Sequence, residues 1–112
     1  MKPTIHLLMG LPGSGKTTLG KTLESITDAT YLSSDEFRIS LFKKPSFSQK
    51  EHDMLYATLD HNVEHLLEAG YSVIYDANLN RLHHRQEKYD LARKYDSKVI
   101  LWYVVVETKQ AR

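Results

Sequence analysis

Residues Gly10-Leu11-Pro12-Gly13-Ser14-Gly15-Lys16-Thr17 fit the pattern G-x-x-x-x-G-K-[ST]. The pattern sits between Thr4-Ile5-His6-Leu7-Leu8-Met9, a short apolar run that reads as a buried parallel strand, and Thr18-Leu19-Gly20-Lys21-Thr22-Leu23-Glu24, a good helical segment. A strand that feeds a glycine-rich turn and then a helix start is the setting in which this pattern cradles phosphate. It constrains the fold more than any other feature, because a parallel strand needs a crossover and a sheet to join.

Glycines let the backbone turn tightly and aim successive N–H groups inward as a nest. The following helix adds its own unpaired N–H groups and the positive end of its dipole. Lys16 is expected to reach the β- and γ-phosphates of a nucleoside triphosphate, and the Thr17 hydroxyl to ligate Mg²⁺. The expected nucleotide contacts are Gly10, Leu11, Pro12, Gly13, Ser14, Gly15, Lys16, Thr17 and Thr18. The implied ligands are ATP and Mg²⁺.

At 112 residues the chain is one domain, small for an α/β fold. Its formal net charge of +1 gives no strong electrostatic footprint for nucleic acid, though a local basic groove is compatible with it. It contains no cysteine, which excludes disulfides, thiolate metal sites and a thiol nucleophile. The apolar run Ile5–Met9 is too short for a signal peptide and leads straight into the glycine loop. No stretch is long enough to cross a membrane, and a cytoplasmic location is the expectation.

The first helix is expected from Lys16 to about Ser25, with Leu19, Leu23 and Ile26 facing inward. Thr30–Ser33 reads as a second strand, after which Ser34 and Asp35 cap a short helix to about Leu41. Ser48-Gln49-Lys50-Glu51 reads as a capping box that opens a long helix, with Leu55, Leu59, Val63 and Leu66 inside and Gly70 at its end. Tyr71–Tyr75 reads as a third strand closed by Asp76. A further helix starts near Asn80 and runs to Tyr95, with Leu82, Tyr89 and Ala92 among its inner positions. The apolar run within Lys98–Val106 reads as a central strand buried on both faces. The order β-α-β-α-α-β-α-β predicts an α/β, three-layer parallel sheet of the P-loop NTPase type, with four strands and helices on both faces.

In such sheets ligands lie beyond the carboxyl ends of the strands. The glycine loop, Asp35 and Asp76 all fall on that rim. Transfer of a phosphoryl group to an alcohol needs a carboxylate to take the proton and cations around the moving group. Asp35 is the candidate base; its plainer reading is a helix cap. Arg38, three residues on, shares its helical face and is a candidate for a substrate phosphate. Asp76 ends an apolar strand as a magnesium-linked carboxylate does; holding the acceptor is the other role open to it. Asn78 and Arg85 are further candidates for the substrate side, against bland roles as a cap and a surface charge.

These segments, Gly10–Thr18, Leu32-Ser33-Ser34-Asp35-Glu36-Phe37-Arg38 and Val73-Ile74-Tyr75-Asp76-Ala77-Asn78-Leu79-Asn80, resemble the kinase domain of polynucleotide 5′-hydroxyl kinases. They also resemble the wider group of P-loop kinases that includes the zeta toxins and small-molecule phosphotransferases. The resemblance covers nearly the whole chain. It implies magnesium ATP as donor and a hydroxyl acceptor, a polynucleotide 5′ end or a small molecule. It makes Lys16 and Thr17 the phosphate and Mg²⁺ contacts, Asp35 the general base, Arg38 a phosphate-contacting arginine, and Asp76 a substrate-side or metal-linked carboxylate. Members of the group continue into a lid bearing arginines and a fifth strand; this sequence stops at Arg112, before both. The expectation is a P-loop kinase domain over residues 1–112 without its lid, whose fourth strand offers an edge for self-association.

Two other readings belong to different classes: a module that binds ATP and transfers nothing, and an NTPase that activates water. His61-Asn62-Val63-Glu64-His65 also fits H-x-x-E-H, a zinc hydrolase pattern. With no third ligand in a suitable place, surface histidines are the better reading there.

Overall fold

The apolar residues of the first strand belong at the centre of a sheet, because Ile5, Leu7 and Leu8 are fully buried. The computed structural model describes residues 2–10, 14–77 and 82–105. In chain order its elements are β1 (Thr4–Met9), α1 (Lys16–Ile26), β2 (Thr30–Ser33), α2 (Ser34–Leu41), α3 (Gln49–Glu68), β3 (Val73–Asp76), α4 (Leu82–Lys94) and β4 (Lys98–Tyr103). The strands form one sheet in the order β2-β3-β1-β4, and every pair is parallel. No described helix is long and apolar enough to cross a membrane.

Alternation along β1 and β3 divides the interior into two layers. Ile5, Leu7, Val73 and Tyr75 face α3 and α4, where they meet Leu55, Leu59, Val63, Leu67 and Ala92. The α3 residues recur at every fourth position and so make one stripe along that helix. On the opposite face Leu8 and Ile74 pack against Leu23 and Ala29, with Leu19, Tyr31 and Trp102 at the margin. The helix cores thus lie on both sides of a parallel sheet, as the element order predicts.

The connection after β1 leads to β2 on one side, and the connection after β3 leads past β1 to β4 on the other. The carboxyl ends of β1 and β3 therefore flank a topological switch point, where a crevice opens. Register sharpens this: Leu8 lies opposite Asp76, and Asp76 opposite Ser33.

Several expectations are corrected. The run after Lys98 is an edge strand, not a central one: β4 pairs only with β1 among the described residues and leaves Ile100, Leu101, Tyr103 and Val105 exposed. A continuous apolar run reports two faces that want cover, but not how many neighbours the strand has. Ile26 is 72% exposed, because it ends α1 beyond the sheet-facing positions Leu19 and Leu23. The cap of α2 is Ser33, whose Oγ accepts from the Glu36 N–H, so Ser34 and Asp35 lie inside the first turn. Ser48 does cap α3, but Glu51 does not close a capping box. Its carboxylate instead accepts from the N–H groups of Ser46 and Phe47 and from Arg38. β3 begins at Val73, and Tyr71 is exposed before it.

Candidate active site

The glycine loop leaves β1 at Gly10, where any side chain would collide with Ser14 Oγ, 2.8 Å from the position of a Cβ. Gly15 precedes α1 with φ of 95°, a left-handed conformation that favours glycine. No side chain caps α1, and no acidic residue occupies its first turn. The first helical bond runs from the Leu19 N–H to the Gly15 carbonyl, so the N–H groups of Lys16, Thr17 and Thr18 have no partner within the helix. Ser14 Oγ is buried without a hydrogen-bond partner among the described residues. Open N–H groups, a helix dipole and an orphaned hydroxyl make a cradle suited to an anion.

Lys16 crosses the crevice to Asp76: its Nζ lies 3.2 Å from Oδ1. Asp76 is only 5% exposed, so little of its carboxylate is left to water. Its second oxygen, Oδ2, accepts from the Tyr31 hydroxyl. Burial and the neighbouring Asp76 push the Tyr31 phenol well above its ordinary range, so it stays a donor. The ring of Tyr31 fits against α1 only because position 20 is glycine: a Cβ there would approach the ring to 2.3 Å. Gly20 weakens the helix by about 0.5–1 kcal/mol relative to alanine, the cost of that fit.

Asp35 lies in the first turn of α2, two residues beyond Ser33, and is exposed. It enters no salt bridge among the described residues. Arg38 is engaged: its Nη1 lies 2.6 Å from Glu51 Oε1, and its guanidinium stacks over the Phe47 ring at 4.6 Å. One edge of the guanidinium is thus fixed by protein, and its remaining N–H groups are the ones a ligand could use. The Ser46 N–H, then the Arg38 guanidinium and the Ser46 hydroxyl, hold Glu51 down at about 2. A carboxylate so depressed adds stability above its ordinary value of 4.5 and loses that contribution as pH falls towards 2. The thermal midpoint should therefore drop across this interval, and it should drop less in Glu51→Gln, which has no proton to take up.

Arg85 lies on α4, with its Nε buried and unpartnered among the described residues. Beneath the rim, Lys88 of the same helix reaches Asp60 at 2.7 Å, and the Tyr75 hydroxyl donates to that same carboxylate oxygen at 3.0 Å. This junction ties α4 to α3 and to β3 next to Asp76. Leu11, Pro12, Gly13 and Asn78 lie outside the described residues. In the H-x-x-E-H segment both histidines are exposed, edge to face at 4.9 Å, and Glu64 pairs with Lys94 at 3.4 Å.

The structure thus brings Lys16 and Asp76 into contact and sets Asp35 at the adjoining strand end. Sequence reasoning does not mark Tyr31 as a site residue, and it reads Glu51 only as part of a capping box. Strand alternation carries a signal for Tyr31, which falls on the same face as Ser33 and, through the register, as Asp76. Glu51 carries none, because its reach to Arg38 depends on the turn between two helices.

The donor set fits magnesium: a threonine hydroxyl and a carboxylate are hard oxygen ligands. Among the described residues no three His, Cys, Asp or Glu side chains gather as a metal cage. A cation here would therefore draw further ligands from phosphate and water, as magnesium commonly does.

A candidate kinase from Chloroflexus aurantiacus superposes with a TM-score of 0.80 at 24% identity, over 94% of this chain and 60% of that one. A chain of the Pnkp1/Rnl/Hen1 RNA repair complex gives 0.84 at 23%, over 97% of this chain and 35% of that one. The Mycobacterium tuberculosis APS kinase CysC, in complex with AMPPNP and APS, gives 0.69 at 22%, over 97% of this chain and 65% of that one. The chain therefore spans less than two thirds of each of these proteins. No curated protein matches it. The AAA domain family matches residues 5–112, and with that coverage the chain belongs to the AAA domain family and has the fold of the P-loop kinases.

Proposed function

We propose that the chain binds magnesium ATP and transfers the γ-phosphoryl group to a hydroxyl acceptor. The observation that carries this reading is the Lys16–Asp76 pair, 3.2 Å apart at the uncapped N-terminus of α1. In this reading the loop N–H groups and Ser14 hold the phosphates, and Lys16 leaves Asp76 for the β- and γ-phosphates. Thr17 and Asp76 would hold the magnesium ion, which when bound neutralises developing charge on the phosphoryl oxygens. Asp35 accepts the acceptor's hydroxyl proton. Arg38 and Arg85 contact the acceptor, together with Asn78 from the segment after β3. Two buried atoms without a partner among the described residues, Ser14 Oγ and Arg85 Nε, support it, since an unpaired buried polar group costs about 1–3 kcal/mol and an anionic ligand would supply a partner. The structural neighbours support it further, since an APS kinase bound to AMPPNP and APS, a sugar kinase and an RNA repair complex are among them.

γ-Labelled ATP offered with separate pools of 5′-hydroxyl oligonucleotides, nucleosides and sugars tests the reading. Label in one pool identifies the acceptor class. Inorganic phosphate alone shows an NTPase, and ATP bound but unconsumed shows a binding module; either outcome overturns phosphotransfer. A cytoplasmic location is part of the same proposal.

The outer edge of β4 is also proposed to pair with a second copy of this chain. Exposed Ile100, Leu101 and Tyr103, on a strand whose outer edge has no partner among the described residues, support this. Sedimentation velocity should show association that grows with concentration. A concentration-independent monomer contradicts it.

A further inference from the structure

Asp76 is held at both oxygens, by two partners of different kinds. Oδ1 takes the Lys16 ammonium at 3.2 Å, and Oδ2 takes the Tyr31 phenol. If Lys16 moves to the phosphates, Oδ1 is released towards the loop while Oδ2 stays fixed. The terminal torsion of an aspartate is broad, so a carboxylate released at both oxygens would turn freely. One retained hydrogen bond keeps the free oxygen aimed.

A phenol donates one hydrogen bond, and Tyr31 gives it to Asp76 Oδ2.

The ring is placed from α1. A Cβ at Gly20 would meet Tyr31 Cε1 at 2.3 Å and Leu8 Cδ1 at 3.0 Å, so no larger residue fits unless the ring shifts. Glu24, one turn on, accepts from the Tyr31 backbone N–H at 3.0 Å. Helix α1 therefore fixes Tyr31 at both its ring and its backbone, and α1 is also the helix that carries Lys16 and Thr17.

We propose that Tyr31 is a positioning residue for the magnesium side of the nucleotide site, holding the Asp76 carboxylate in one fixed arrangement through a space that Gly20 leaves open. The proposal rests on the ATP reading of the loop. It assigns a role to a strand tyrosine that the phosphate-loop pattern does not include, and it gives a reason for glycine in the middle of a helix.

The test is the effect of magnesium on ATP affinity, measured by titration calorimetry in excess EDTA and in excess MgCl₂. Tyr31→Phe keeps the ring and removes the hydroxyl. It should hold metal-free ATP affinity within about twofold of wild type and lose roughly tenfold of the gain that magnesium brings, the lower range for removing a partner of a metal ligand. Gly20→Ala keeps the hydroxyl and crowds the ring, and should lose the gain as well. In an Asp76→Asn background Tyr31→Phe should add nothing further. A full magnesium-linked gain in both Tyr31→Phe and Gly20→Ala overturns the proposal, as do additive losses in the double variant. A wild-type chain that binds no ATP overturns the underlying reading instead, and the two failures are distinct.

Discussion

Lys16→Ala is expected to abolish measurable ATP binding, a loss of about 100-fold or more. In the proposed complex the Lys16 ammonium makes charge-assisted hydrogen bonds to phosphate, each contributing about 1.5–3 kcal/mol. Of the other described cations, Arg38 is held by Glu51 and Lys88 by Asp60, and Arg85 is assigned to the acceptor side of the proposed site. The substitution also strands Asp76, which is 5% exposed and would keep only Tyr31. Removing one member of a buried pair destabilises strongly, so the thermal midpoint should fall too. Calorimetry on the variant below its own midpoint separates the two effects. A folded Lys16→Ala chain with wild-type affinity would remove the nucleotide assignment.

Asp35→Asn should behave in the opposite way, with ATP affinity nearly unchanged and transfer slowed by roughly two to four orders of magnitude, the range for a positioned acid or base. Asparagine keeps the shape but cannot take the proton. Asp35 is exposed and does not cap α2, since Ser33 does, so the fold should tolerate the change. That distinction matters for interpretation: a rate loss here cannot be attributed to a lost cap. Single-turnover transfer from prebound ATP measures the step directly. Unchanged turnover would return Asp35 to the role of an ordinary first-turn carboxylate.

Much of this site was legible in the sequence for a physical reason. The loop pattern, the strand before it and the helix after it are local, and local chemistry determines them. The bounds of β2, Thr30–Ser33, followed from the same kind of signal. The meeting of Lys16 and Asp76 was legible only through topology: parallel order sends both to the carboxyl edge, and the register then sets Leu8, Asp76 and Ser33 side by side.

What the sequence did not reveal depends on geometry between distant elements. A tyrosine in a strand reads as core, and nothing local says that its hydroxyl meets Asp76. Glu51 read as half of a capping box, because the spacing from Ser48 is right. The turn before α3 instead folds its carboxylate over Ser46 and Phe47 and onto Arg38. The run after Lys98 read as central because apolar continuity measures hydrophobic faces, while edge position depends on pairing. Tyr31 and Glu51 bear on the proposed function, since one bonds Asp76 and the other occupies one edge of Arg38.

The claim on which the rest stands is that the γ-phosphate of ATP binds at the N-terminus of α1. Backbone amide resonances recorded while magnesium ATP is titrated into the ¹⁵N-labelled wild-type chain test it most directly. Saturable shifts are expected, concentrated at Ser14, Gly15, Lys16 and Thr17, with Asp76 following as its ammonium partner leaves. Saturation with these amides unmoved and shifts centred elsewhere would contradict it.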